Sequence, residues 1–134
     1  MDNCIFCKIV KGEAGSWKVF EDEHTFAFLD INPKTKYHTI VIPKKHYVNM
    51  FDIPIDELLY VMRTVKRVIN LYAEKLGLEN VQVINNSGAD AQQDVFHLHY
   101  HIVPRFKDDG KNLKLPPVQV EWREKFDEML SALK

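Results

Sequence analysis

Between residues 54 and 76, the apolar side chains Leu58, Val61, Met62, Val65, Val68, Ile69, Tyr72 and Leu76 recur at i, i+3, i+4 spacing. That 3.6-residue period predicts one amphipathic helix, with Pro54 suited to its first turn and Gly77 to its C-terminal cap. Elsewhere the period shortens toward two. Lys18–Glu21 and Thr25–Leu29 predict two short strands joined at Asp22-Glu23, and the polar residues 30–34 predict the turn that follows. The β-branched run Thr39-Ile40-Val41-Ile42 predicts a buried strand, and Val81-Gln82-Val83-Ile84-Asn85 a fourth.

A fifth strand is predicted over residues 96–105, where the alternation is strict. Phe96, Leu98, Tyr100 and Ile102 fall on one face, and His97, His99 and His101 on the other. The apolar face suits a hydrophobic core. Three imidazoles in a row contribute little as packing, so that face calls for a chemical partner, either a metal or an anion. The loop leading into this strand, Asn86-Ser87-Gly88-Ala89-Asp90-Ala91-Gln92-Gln93-Asp94, is small and polar. Such a loop lets backbone amides approach a ligand closely, although the same composition also serves a plain hairpin connection. Beyond Pro116-Pro117, the stripe Trp122, Phe126, Met129, Leu130 and Leu133 predicts a C-terminal helix that packs on the core or on a second subunit.

Composition narrows the class without naming the chemistry. A chain of 134 residues with 46% hydrophobic and 28% charged content is expected to form one domain over residues 1–134. Its formal net charge of -1 provides no field to recruit nucleic acid or an anionic membrane, and its apolar runs are too short to span a bilayer. The N-terminal residues lack the basic and apolar regions of a secretory signal peptide, and two cysteines three positions apart do not make a disulfide framework. A cytoplasmic location is the expectation. Cys4-x-x-Cys7 is half of a tetrahedral zinc site, with two free thiols as the alternative.

Several segments combine with the histidine alternation: Cys4-Ile5-Phe6-Cys7-Lys8-Ile9, Ala27-Phe28-Leu29-Asp30-Ile31, His38-Thr39-Ile40-Val41-Ile42-Pro43-Lys44-Lys45-His46 and the Gln93-Asp94-Val95 lead-in. Together they make residues 4–105 resemble the histidine triad (HIT) family of nucleotide-binding hydrolases and transferases, in particular its bacterial Hit-like branch. The resemblance implies an α+β fold: a mainly antiparallel five-stranded sheet with a long amphipathic helix and a C-terminal helix. It also implies a homodimer, a purine nucleotide substrate, and cleavage at the α-phosphate of nucleoside phosphoramidates or dinucleoside polyphosphates with release of a nucleoside monophosphate.

The same resemblance assigns roles. His99 is the nucleophile that forms a nucleotidyl-histidine intermediate, and His101 donates a hydrogen bond to the α-phosphate. His38 orients His99 or relays a proton, while Gln93 and the loop amides hold the remaining phosphate oxygens. Asp30 receives the ribose hydroxyls, Phe6, Ile9, Phe28 and Ile31 line a purine slot, and Asn86 lies near phosphate and ribose. No magnesium is required in that scheme. Bacterial members pair two such cysteines with two histidines, here Cys4, Cys7, His46 and His97, around a structural zinc.

Asp94 departs from the pattern, since many relatives carry Ser or Thr there. An ionised carboxylate accepts hydrogen bonds without donating them and repels a phosphate, so Asp94 is left outside the catalytic set. Residues 106–134 fall outside the resemblance and are expected to shape leaving-group choice. Two other classes stay open: a metallohydrolase whose three histidines hold a catalytic zinc, and a nucleotide sensor with little turnover.

Overall fold

The computed structural model describes residues 3–134. Strands β1 (Lys18–Glu21), β2 (Thr25–Leu29), β3 (Thr39–Pro43), β4 (Asn80–Ile84) and β5 (Tyr100–Arg105) form one antiparallel sheet in the order β1-β2-β3-β5-β4. Because β5 runs antiparallel to both β3 and β4, those two strands point the same way and no hairpin can join them. The 22-residue helix α2 (Ile55–Leu76) makes that crossover. Pro54 is its N-cap, and Gly77 closes it at φ +67, the left-handed conformation that glycine adopts without a Cβ penalty.

The two-residue period of the strands divides the core between the sheet's faces. Ala27, Val41 and Ile102 pack with Val61, Val65, Val68 and Tyr72 of α2. Phe26, Phe28, Ile40 and Ile42 point the other way and pack with Phe6 and Ile9 of a short helix α1 (Ile5–Lys11). Covering both faces explains why β2 and β3 read as unbroken apolar runs with no polar alternation. Among the described residues, no helix is long and apolar enough to cross a membrane.

Helix α1 has no counterpart in the periodicity. It is seven residues long, and its N-cap is the sulfur of Cys4, which accepts the Cys7 N–H at 3.3 Å. The usual Ser, Thr, Asp or Asn signal is missing.

The histidine strand is shorter than the alternation predicts, starting at Tyr100 instead of residue 96. Upstream, the backbone finds partners outside the ladder: Leu98 N–H donates to the Tyr47 carbonyl (2.7 Å), and the His99 carbonyl accepts from Asn85 Nδ2 (3.0 Å). Phe96, placed by alternation on the apolar face, is consequently 49% exposed. The imidazole face is not solvated either, since His97 and His99 are buried.

The tail also departs from expectation. A 3-10 segment (Val120–Lys125) precedes the short helix α3 (Phe126–Ser131), and every residue from Lys114 to Lys134 is exposed, so the apolar stripe does not pack on the core.

Candidate functional site

A cavity of about 420 Å³ opens between α1, the end of β2 and the start of β5. Helix α1 contributes Phe6 and Ile9, and β2 contributes Phe28 and, just past its end, Asp30 and Ile31. His38, Asn86, Asp94, His99 and His101 are among the polar residues of the lining, with Ser16, Asn32, Lys34 and Gln92. Phe6 sets one wall, meeting the His99 ring edge-to-face with centroids 5.2 Å apart. Ile31, expected to line a purine slot, is in the cavity lining but 74% exposed, at the rim.

The ring nitrogens are assigned by their partners. His99 Nδ1 lies 2.8 Å from the His97 carbonyl, which can only accept, so Nδ1 carries the hydrogen and the Nε2 lone pair is left for the cavity. A second set of bonds runs in one direction. Lys34 N–H donates to His38 Nδ1 at 3.0 Å, which makes His38 Nε2 the protonated nitrogen. That Nε2–H lies 2.9 Å from His101 Nδ1 and 3.4 Å from Asp30 Oδ2, so the shorter bond goes to His101. His101 Nδ1 is thereby an acceptor, and its Nε2 carries the remaining hydrogen. The His99 and His101 rings thus stand side by side, their centroids 4.9 Å apart. Burial, reinforced by His99 and His38, pushes His101 down to about 4, and burial likewise lowers His38.

Gln93 is placed differently from its expected phosphate role. It is buried, and its amide is saturated: Oε1 accepts from Gly88 N–H (2.8 Å) and Asn49 Nδ2 (3.2 Å). Its Nε2 donates to the carbonyls of Val48 (2.7 Å) and Val95 (3.1 Å). Gln93 therefore braces the loop, with no donor left for a ligand. Two residues that the sequence did not single out also hold the site. Asn85 fixes the His99 carbonyl, and Ser87 donates to Asn85 Oδ1 at 2.7 Å while accepting the Met50 N–H. Asp94 does not turn away: its Oδ1 lies 3.6 Å from His99 Nε2.

On the other side of Phe6, a second cluster gathers Cys4, Cys7, His46 and His97, whose donor atoms all lie within 4.8 Å of one another. Cys4 Sγ is 3.3 Å from His97 Nδ1, and Cys7 Sγ is 3.3 Å from His46 Nδ1 and 3.5 Å from His97 Nδ1. A zinc tetrahedron with ordinary bond lengths has N···S edges of about 3.6 Å, so the donor set and its spacing fit one ion. His97 is oriented for this by its Nε2–H, which donates to the Pro43 carbonyl at 2.9 Å and leaves Nδ1 facing the sulfurs. His97 thus belongs to this cluster through its ring and to the cavity through its carbonyl.

Comparison with known proteins gives the family. The HIT domain model matches residues 11–108. An uncharacterised HIT-like protein of Methanocaldococcus jannaschii is 44% identical over 131 residues, covering 98% of each chain. The adenosine 5'-monophosphoramidase of Saccharomyces cerevisiae is 40% identical over 110 residues, which is 82% of this chain and 66% of the yeast protein. Among solved structures, a HIT family protein from Bacillus anthracis superposes with a TM-score of 0.88 at 37% identity, covering 98% of this chain and 95% of the other. A zinc-bound histidine triad protein from Mycobacterium smegmatis gives a TM-score of 0.79 at 34% identity over 98% of each chain. With its α+β sheet, its alternating histidines and these relatives taken together, the chain belongs to the HIT family.

Proposed function

We propose that this protein is a nucleotide hydrolase or nucleotidyl transferase that acts at the α-phosphorus of purine nucleoside phosphoramidates or dinucleoside polyphosphates. The observation that carries this is the pairing of His99 Nε2, which holds the lone pair of the neutral ring because Nδ1 is tied to the His97 carbonyl, with the His101 Nε2–H beside it. An unprotonated Nε2 is a nucleophile at neutral pH, and an adjacent N–H donor stabilises the phosphoryl oxygens on which charge is held during displacement.

The sequence of events follows from those two rings. The purine enters the slot of Phe6, Ile9 and Phe28, and Asp30 receives the ribose hydroxyls. His99 Nε2 forms a bond to phosphorus as the leaving group departs, and the His97 carbonyl holds the ring as it becomes cationic. Water then attacks the nucleotidyl-histidine, the ring recovers its electron pair, and the monophosphate is released. His38 is a positioning residue that keeps His101 in its donating tautomer. Zinc held by Cys4, Cys7, His46 and His97 would be structural, because four protein ligands leave no open coordination position.

A metallohydrolase in which the three histidines share one ion fits the geometry poorly. The donor groups within metal-binding distance divide differently, with His97 among the cysteines and His101 beside Asp30 and His38. A homodimer in the cytoplasm completes the proposal, supported for the dimer by the exposed Trp122, Phe126, Met129 and Leu130 of the tail.

The test is AMP release from adenosine 5'-phosphoramidate by the unaltered protein and by His99→Ala, each with and without EDTA. Turnover that persists in chelator and falls on the order of 10⁴-fold in His99→Ala supports covalent histidine catalysis. Chelator-sensitive turnover in a protein that stays folded would return the metallohydrolase, and tight nucleotide binding with no turnover would favour a sensor.

A further inference from the structure

Helix α1 stands between the cavity and the cysteine cluster, and its attachments to the rest of the fold are of two kinds. Phe6 and Ile9 dock by apolar contact on Phe26, Phe28, Ile40 and Ile42. Among the described residues, every hydrogen bond from α1 and its cap to another element is made by a cysteine sulfur: Cys4 Sγ to His97 Nδ1 (3.3 Å), and Cys7 Sγ to His46 Nδ1 (3.3 Å) and His97 Nδ1 (3.5 Å). The backbone bonds at its ends stay within residues 4–14. We propose that α1 couples the two sites: metal ligation by Cys4 and Cys7 fixes the wall made by Phe6 and Ile9, so that zinc and nucleotide each bind more tightly in the presence of the other. The proposal rests on the nucleotide reading above and gives the two cysteines a positioning role in it.

A seven-residue helix is marginal in isolation, so its position is set by what holds it. Apolar docking is non-directional and tolerates sliding, whereas a tetrahedral ligand set fixes distance and angle together. The wall leaves little room for sliding. Phe6 meets the rings of His99, Phe28 and His97 edge-to-face, with centroids 5.2, 5.5 and 5.9 Å apart. Cys7 follows Phe6 directly in the helix, so restraint at its sulfur is restraint on the neighbouring ring. Without ligation α1 remains a capped helix on the sheet, but it also takes up positions in which the wall is displaced.

The histidine side is anchored separately. His97 is fully buried, and its Nε2–H is tied to the Pro43 carbonyl at 2.9 Å, a bond that does not involve the metal-facing Nδ1. The backbone that holds His99 is pinned on both sides, by Leu98 N–H to the Tyr47 carbonyl (2.7 Å) and by Asn85 Nδ2 to the His99 carbonyl (3.0 Å). This asymmetry decides which constant moves: ligation acts on nucleotide affinity and leaves the chemical step at His99 alone. Linkage then requires the converse, that nucleotide tightens zinc by the same factor.

The experiment uses the full chain, either zinc-loaded or stripped with a chelator that is then removed, and AMP as the calorimetric probe. Stripped protein is expected to bind AMP at least roughly fivefold more weakly, which corresponds to the wall being in place in about one molecule in five. Zinc affinity, read by competition with a chromophoric chelator, should rise by that same factor in saturating AMP. With adenosine 5'-phosphoramidate, stripping should raise KM by a similar factor while turnover at saturating substrate is kept. In NMR spectra the Phe6 ring and Ile9 methyl signals should shift on stripping, while the Val61 and Val65 methyls of α2 hold their positions.

AMP affinities that agree within about twofold between the two states overturn the coupling. A fall in kcat at unchanged KM overturns it as well, because the metal would then act in the chemistry. Displaced Val61 and Val65 signals also overturn it, since ligation would then hold the whole fold and not one wall. AMP that binds neither state overturns the nucleotide reading itself, and the coupling with it, so the two failures are distinguishable.

Discussion

His38 and His101 show how a buried pair of rings acquires direction from one backbone amide. Because Lys34 N–H donates to His38 Nδ1, every later proton in the chain has one place to be, ending with a hydrogen on His101 Nε2. The arrangement works only while both rings are neutral. Burial foremost, then His99 and His38, hold His101 at about 4 against an ordinary value of 6.5. The unfolded chain therefore takes up this proton near pH 6.5 while the folded chain resists until about pH 4. The associated stability is complete above pH 6.5 and declines as pH falls toward 4, by about 2 kcal/mol between pH 7 and pH 5 for this group. Urea unfolding at those two pH values measures it. His101→Gln should remove that part of the slope, and an unchanged slope would mean that the ring is not held neutral by its surroundings.

At the scale of elements, α1 performs two tasks that its seven residues do not advertise. One side closes the cavity with Phe6 and Ile9, and the other presents Cys7 to His46 and His97. Cys4 has a further role as the N-cap. This separates two functions experimentally, because serine is a good N-cap and a poor zinc ligand. Cys4→Ser should keep α1 folded while bound zinc falls well below one per chain, measured by elemental analysis, and the melting temperature should cease to respond to EDTA. Zinc content equal to that of the unaltered protein would remove Cys4 from the ligand set. The sheet end of the site is braced independently: Arg105 grips Asp109 with two bonds of 2.9 Å and reaches Gln82 Oε1 at 2.7 Å, pinning the chain as it leaves β5.

Across the whole molecule, the exposed apolar side chains concentrate in the tail. Trp122, Phe126, Met129, Leu130 and Leu133 are each between 46% and 83% exposed, on a segment with no buried residue of its own. No residue after Arg105 lines the cavity beside the histidines, so within one chain the tail does not reach it. A second copy is the proposed cover. Truncation after Pro117 should shift sedimentation from dimer toward monomer. A truncated protein that sediments as the full chain does would place the dimer contact elsewhere.

Much of the architecture was legible from residue order alone. The long helix, its Gly77 stop and four of the strands are written in periods of 3.6 and two, because amphipathic elements must bury one face whatever surrounds them. The three histidines were legible as a chemical feature for the same reason, since alternation leaves them no packing role on their own strand. Other features depended on contacts between segments distant in the chain. Helix α1 is too short and too unusually capped to signal itself, and it is stabilised by docking on Phe26, Phe28, Ile40 and Ile42. Tautomers are set by a distant backbone group at His97, the Pro43 carbonyl, and by nearby ones at His38 and His99, from Lys34 and His97, whose placement depends on loop conformation; Gln93 is drawn from ligand to brace by the carbonyls of Val48 and Val95. Asp94 was visible as a misplaced charge, but its distance to His99 was not. Residue order determines which groups are present and which face they share; tertiary structure decides what each polar atom meets, because loop conformation sets the near partners, as for Lys34 and His38, and folding brings in the far ones, as for Pro43 and His97.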